Sequence, residues 1–169
     1  MVSVLLLLRL FHVVLGVLWV GMMGFTVIFL TPALREAGPS GQPVMAALQR
    51  RKLMIVMPLI ALGTIISGLM LMERLFRDMG VVASSRMGLT LIVGGVMSLI
   101  AFILGITVMR GAMMGAARLA QSLESASPSE RGEIGARIQR LRARGAVVGQ
   151  VIFGLLLVAA SAMAVARYI

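Results

Sequence analysis

The first apolar stretch of the chain contains two residues whose side chains could do chemistry, Arg9 and His12. His12 is the single histidine of the sequence, and a neutral imidazole is a common ligand of haem iron and of transition metals. Arg9 lies about one helical turn before it, and a guanidinium pairs well with an anionic group. The two residues together predict a site for a metal-containing cofactor.

Both residues belong to a stripe with spacings of three and four: Arg9, His12, Gly16, Trp19, Met23 and Thr26. This spacing places them on one face of a helix. Because the stripe collects polar and bulky residues, we expect it to face the interior of a bundle. Gly16 lies one turn from His12 and leaves room for a flat group. The layout is typical of one haem b, with His12 as axial ligand, Arg9 pairing with a propionate, and Gly16 and Trp19 beside it.

Copper is the alternative cofactor. The chain contains 15 methionines, and thioethers select Cu(I). Met70 and Met163 are the candidate ligands beside His12, and Met72 and Met87 are expected in the same layer. Methionine is more often a flexible filler of cores than a ligand, and Arg9 would repel a bare cation. The sequence therefore favours haem over copper.

A purely structural interpretation of the two residues stays open. If Arg9 lies near the end of a membrane span, its side chain can extend to the lipid headgroups. His12 could be a buried histidine whose ring is satisfied by a neighbouring hydroxyl or carbonyl group. In that case neither residue would bind a cofactor.

The composition indicates which elements carry these residues. The chain has 169 residues, of which 60% are hydrophobic and 13% are charged, far from the balance of a water-soluble domain. Four apolar runs are long enough to cross a bilayer as helices, at about 4–30, 53–72, 87–109 and 146–168. We predict an all-α, polytopic membrane protein, a four-helix transmembrane bundle that forms a single domain over residues 1–169, with residues 1–30 retained as a helix.

The connections between the spans suggest an orientation. Lys and Arg number eleven in residues 32–52 and 110–145, against five on the opposite side. The positive-inside rule then puts loops one and three in the cytoplasm and both termini outside, in the periplasm, with the protein in the inner membrane. Residues 110–145 are predicted to continue spans three and four as a cytoplasmic helical hairpin. Thr31-Pro32 is predicted to end span one, and "REAGPSGQP" to be a turn-rich linker.

Several functional classes are disfavoured by what the sequence lacks. No Asp or Glu falls inside a predicted span, which argues against a carboxylate proton relay. Without cysteine or a second histidine, no nucleophile–base pair is visible. The basic residues flank membrane spans and lack interleaved aromatic residues, so we expect no nucleic-acid partner. Enzyme activity is expected only if a bound cofactor supplies it.

The stretch "RLFHVVLGVLWVG", residues 9–21, resembles the first-helix signature of the copper-resistance-D-like membrane proteins. It is also similar to the haem-binding membrane protoporphyrinogen oxidase family, which has four spans and outside termini. The resemblance implies that His12 is the metal or haem ligand and that Trp19 and Gly21 are packing positions. With one histidine per chain, ligation of haem by two histidines would need two copies.

Three hypotheses for function follow. The chain binds one haem b through His12, or it handles copper with His12 and methionines. The third hypothesis is an accessory, non-catalytic subunit that packs against a larger membrane complex. In each case the expected partners are membrane lipids, with a homo-oligomer or a larger membrane complex also compatible with the sequence.

Overall fold

A computed structural model of the chain describes residues 4–78, 80–123 and 125–169. No β-strand occurs in these ranges. Four helices are long and apolar enough to cross a membrane, Val4–Ala37, Leu53–Arg77, Arg86–Ser122 and Pro128–Tyr168. The four apolar helices predicted from the sequence are therefore confirmed.

Shorter segments make up these long helices. The first consists of α1 (Val4–Phe25), a π-helical turn (Thr26–Leu30) and α2 (Thr31–Ala37). A 3₁₀ turn (Gly38–Gly41) and α3 (Gln42–Arg50) lead to α4 (Leu53–Arg77). The third consists of α5 (Arg86–Leu104), a second π-helical turn (Gly105–Met109) and α6 (Arg110–Ser122). The fourth is α7 (Pro128–Val165) with a final 3₁₀ turn (Ala166–Tyr168).

The four long helices pack in chain order around a common core. α1 packs against α4, α4 against α5, α5 against α7, and α7 returns to α1. Short connections between consecutive helices make each neighbour antiparallel to the last. The buried side chains at the centre come from all four helices: Trp19, Met23, Ala61, Ala101, Ile152 and Leu156.

The prediction that Thr31-Pro32 ends the first span is wrong. The helix continues to Ala37, and Thr31 has helical dihedral angles, φ −65° and ψ −45°. The Thr31 N–H donates to the carbonyl oxygen of Thr26, a widened i→i−5 turn. Pro32 directly follows this widened turn, so the N–H that proline lacks falls where the regular i→i−4 hydrogen bonding is already interrupted.

The linker prediction for "REAGPSGQP" also needs correction. Its turn is limited to the 3₁₀ segment Gly38–Gly41, which begins at Gly38 with a φ of +55°, in the region that favours glycine. The chain resumes helical structure at α3, which has a proline in its first turn. Proline there starts a helix, since the first-turn N–H groups need no partner within the helix. Pro43, interpreted as a turn residue, is thus a helix starter, whereas Pro39 lies in the 3₁₀ turn.

α6 and the start of α7 form a helical hairpin. Ser127 begins α7 with a capping box, in which its side chain and that of Glu130 each accept a backbone N–H of the other residue. α6 packs against α7, burying Ala112, Ala116 and Ile138. The helical hairpin predicted for residues 110–145 is present, and the fully buried side chains of α6 are alanines.

Candidate functional site

His12 lies at the contact between α1 and α4, where its side chain is half-buried. Its ring rests against Gly68 of α4. A Cβ built on Gly68 would lie 2.8 Å from Cε1 of the imidazole and 3.3 Å from Nδ1. Real Cβ atoms do not approach other heavy atoms this closely. The imidazole therefore occupies the space that any side chain at position 68 would need.

One nitrogen of the ring is held by α4. Nδ1 lies 3.0 Å from the carbonyl oxygen of Thr64 and 3.1 Å from Oγ of Ser67. The Ser67 hydroxyl already donates to the carbonyl oxygens of Gly63 and Thr64, at 2.6 and 3.1 Å. A carbonyl oxygen accepts and never donates. Nδ1 therefore carries the proton and donates to both oxygens.

The fixed proton determines what the other nitrogen can do. In a neutral imidazole with Nδ1–H, the lone pair sits on Nε2. Among the described residues, no group donates a hydrogen bond to Nε2 of His12. A backbone carbonyl that accepts Nδ1–H is the usual support behind a histidine that binds a metal through Nε2. The ring is thus oriented and in the correct tautomer for a ligand.

The purely structural interpretation accounts for the hydrogen bonds of Nδ1 but gives no role to Nε2. It expects a neighbouring hydroxyl or carbonyl group to satisfy His12, and both are present, from Ser67 and Thr64. This interaction stabilises the α1/α4 contact whether or not a ligand is bound. The structural interpretation assigns no hydrogen-bond partner among the described residues to Nε2, so the two interpretations are compatible.

The structure separates Arg9 from the rest of the predicted stripe. Trp19 and Met23 are buried, Trp19 with 4% of its surface exposed, so that part of the stripe does face the bundle. Arg9 is exposed. A three-residue step rotates the helix by about 300°, so Arg9 drifts away from the contact with α4. The prediction that the whole stripe faces inward is wrong at this end.

α4 limits the space predicted beside Gly16 to about the size of a methyl group. A Cβ at Gly16 would be in ordinary van der Waals contact, 3.7 Å, with Cγ2 of Thr64. Trp19 belongs to the central core. Both residues therefore pack the bundle, and a flat group bound to His12 would have to lie on the side of the ring that faces away from α4.

The methionines considered as copper ligands lie in different environments. Met163 packs on Gly94 of α5, where a Cβ would lie 3.1 Å from its Cγ, so it lines the contact between α5 and α7. Met70 is 45% exposed. Met72 lies against Gly95 of α5. In the described ranges, no group of three or more His, Cys, Asp or Glu side chains could hold a metal ion.

Sequence reasoning missed the three α4 residues that hold His12. Thr64, Ser67 and Gly68 lie 52 to 56 positions along the chain from the histidine. A signal was present, since polar and small residues at spacings of three and four interrupt an otherwise apolar helix. The spacing does not indicate which helix these residues contact, because any of the other three long helices could supply the side chain that packs against them.

Comparisons with protein-family models, with characterised proteins and with solved structures found no match to this chain. The resemblance of residues 9–21 to two membrane protein families therefore stays a prediction. What the chain does has to be argued from the geometry around His12.

Proposed function

We propose that the chain is an integral membrane protein that binds one haem b through Nε2 of His12. The observation that supports this best is the hydrogen bond from Nδ1 to the Thr64 carbonyl oxygen, 3.0 Å long. It fixes the tautomer and the ring orientation that axial ligation needs. A haem b would supply reversible one-electron chemistry, and Arg9, exposed about one turn away, would pair with a propionate.

The position of the methionines favours haem over copper. A Cu(I) site needs two or more soft ligands around the same ion. Met163 packs in the α5/α7 contact against Gly94, whereas His12 lies in the α1/α4 contact. Haem needs a single protein nitrogen on one side and tolerates an open or externally supplied second position.

The membrane orientation is part of the same proposal. Four helices have the length and apolar composition of spans, and the basic residues concentrate in residues 32–52 and 110–145. The positive-inside rule then puts these segments in the cytoplasm and His12 near the outer surface of the inner membrane. A haem at that depth would exchange electrons with donors or acceptors on the outer side.

The absorption spectrum of the purified full chain, loaded with haemin, tests the proposal. The decisive variant is His12→Asn. The Asn amide N–H can replace Nδ1–H as donor to the Thr64 carbonyl oxygen, but it offers no counterpart of Nε2. Ser67→Ala is the matched control, since it removes one partner of Nδ1 and leaves the ligand atom intact.

We expect a Soret band in the wild type and in Ser67→Ala, and none in His12→Asn or His12→Ala. All four proteins should keep the same helical circular dichroism. A wild type without a Soret band, or a His12→Asn variant that keeps the full band, would show that the histidine serves only the α1/α4 contact. Stoichiometric copper in the purified protein would favour a copper-handling function. Partner subunits that co-purify with a colourless protein would favour an accessory subunit of a larger complex.

A further inference from the structure

A groove lies at the opposite end of the bundle from His12, between the start of α4 and α6. Its volume is about 280 Å³. Four polar side chains line one part of it, namely Gln49, Lys52, Arg118 and Gln121. Its apolar part is lined mainly by Met54, Ile55, Met113 and Met114. None of the lining residues that the structure describes is acidic.

The polar and apolar parts are arranged along the bundle axis. On one wall, Lys52 directly precedes α4, and Met54 and Ile55 lie in the first turn of that helix. Gln49 lies at the end of α3. On the α6 wall the order is reversed, because Met113 and Met114 come before Arg118 and Gln121. The two walls run in opposite directions, so both change from apolar to polar toward the same end. The groove is therefore amphipathic along its length.

Lys52 occupies this groove in an unusual backbone conformation. Its φ is +59°, and it is the only non-glycine residue with positive φ in the described part of the chain. It links α3 to α4, since its N–H donates to the Gln49 carbonyl oxygen and its own carbonyl oxygen accepts from Ile55 and Val56. Glycine would adopt this conformation without strain. The lysine side chain is thus present despite a conformational cost.

We propose that this groove binds one anionic phospholipid of the bilayer, with the phosphate between Lys52 and Arg118 and an acyl chain along the methionines. Two cations, with no carboxylate among the described lining residues, match an anionic headgroup. Gln49 and Gln121 can donate to ester and phosphate oxygens. The apolar part continues the surface of spans two and three, as an acyl chain requires. The proposal rests on membrane insertion and is independent of haem.

Binding of phosphatidylglycerol and of phosphatidylcholine with the same acyl chains, measured on the full chain in detergent by native mass spectrometry, tests the site. The variant is Lys52→Gln with Arg118→Gln. The matched control is Arg140→Gln with Arg142→Gln, which removes the same charge from exposed positions of α7. The affinity for phosphatidylglycerol should fall about fivefold per cation and about 25-fold for the pair, against less than twofold in the control.

Lys52→Gly separates binding from folding. It removes the cation and relieves the left-handed strain, so the variant should unfold at the same or a higher temperature while its phosphatidylglycerol affinity falls about fivefold. Free glycerol phosphate should not compete, because it lacks the acyl chain. The lipid site would be overturned if the protein bound the two lipids with equal affinity, or if both double variants lost the same affinity. It would also be overturned if Lys52→Gly kept its affinity for phosphatidylglycerol, or if glycerol phosphate competed. The haem spectrum should be the same in all these variants.

Discussion

Two neighbouring helices carry the same sequence step, a glycine followed four residues later by a serine, and use it in different ways. The step is Gly63–Ser67 in α4 and Gly94–Ser98 in α5. Both serines are buried, with 2% and 8% exposure. Each hydroxyl donates to the carbonyl oxygen of its glycine, at 2.6 and 2.9 Å. Ser67 additionally accepts from His12 of α1, whereas Ser98 has no side-chain partner on another helix among the described residues.

The glycines differ as well. A Cβ at Gly94 would lie 3.2 Å from the carbonyl oxygen of Ala159, so α5 and α7 approach each other backbone to backbone. A Cβ at Gly63 would meet the terminal methyl Cδ1 of Leu15, at 2.6 Å. That contact involves only the end of a flexible side chain. The α5/α7 contact therefore depends on close approach, and the α1/α4 contact depends on a polar interaction.

The largest effect is expected from filling the closely packed contact. Gly94→Leu should lower the free energy of unfolding by about 2–3 kcal/mol, because the backbone of α7 has little freedom to move away. Gly154→Leu in α7 is the matched control, since a Cβ at Gly154 meets nothing within 4 Å, and its effect should stay within about 0.5 kcal/mol. Denaturation in mixed micelles followed by circular dichroism measures both. Equal stability of the two variants would contradict a close α5/α7 approach.

The next largest effect on stability is expected at the α1/α4 contact, where Gly63 and Gly68 should respond differently to substitution by alanine. Gly68→Ala should displace the His12 ring and lower the free energy of unfolding by about 1 kcal/mol, after the better helix propensity of alanine offsets part of the clash. Gly63→Ala should be neutral or stabilising, because the Leu15 side chain can rotate away. The same denaturation assay compares them. A Gly68→Ala variant as stable as Gly63→Ala would mean that the ring is not held where the structure places it.

A smaller effect isolates the interaction between helices. Ser67→Ala and Ser98→Ala each remove the hydrogen bond from the hydroxyl to the glycine carbonyl oxygen four residues earlier. Ser67→Ala also removes a longer bond to the Thr64 carbonyl oxygen and an acceptor for His12. Ser67→Ala should cost about 0.6 kcal/mol more than Ser98→Ala, the typical value for an interhelical hydrogen bond in a membrane. In a His12→Ala background the difference should shrink to what the bond to the Thr64 carbonyl oxygen contributes. A difference that is unchanged there would assign it to α4 alone.

The smallest effect concerns the helix end at Ser127, which belongs to neither contact. Hydrogen bonds from the Ser127 hydroxyl and backbone N–H lower the pKa of the exposed Glu130 carboxyl group. A lowered pKa in the folded state stabilises the capping box above the ordinary glutamate pKa of about 4.3, and this contribution is lost as the pH falls below it. An NMR titration of the Glu130 side chain measures the pKa directly.

Ser127→Ala should raise the pKa of Glu130 toward its ordinary value. Ser125→Ala is the control, because its hydroxyl donates to the Ser122 carbonyl oxygen and takes no part in the capping box. The same Glu130 pKa in both variants would assign the shift to something other than the capping box.

Much of the fold was predictable because it depends on local composition. Apolar runs of sufficient length were sufficient to predict four helices, and the hairpin was predicted as the continuation of spans three and four. The error at Thr31-Pro32 arose because proline ends helices in most contexts, and a π-helical turn accommodates it here. Such a turn depends on how the helix packs and has no clear sequence signature.

The candidate site was predicted only in part. His12 stood out because an ionisable residue is rare in an apolar run. Its surroundings were not predictable, and Thr64 proved to limit the space expected beside Gly16 to about the size of a methyl group. A periodic stripe shows which residues share a face, but it carries no information about the rotation of the neighbouring helix.

The sequence by itself determined that the chain forms four long apolar helices, because length and hydropathy depend only on which residues follow one another. Tertiary structure alone decided that Thr64 and Ser67 hold Nδ1 of His12, that Gly94 faces α7, and that Lys52 and Arg118 share a groove. These pairings join residues far apart in the chain. They result from shape complementarity and from hydrogen bonds that form only once the helices have packed.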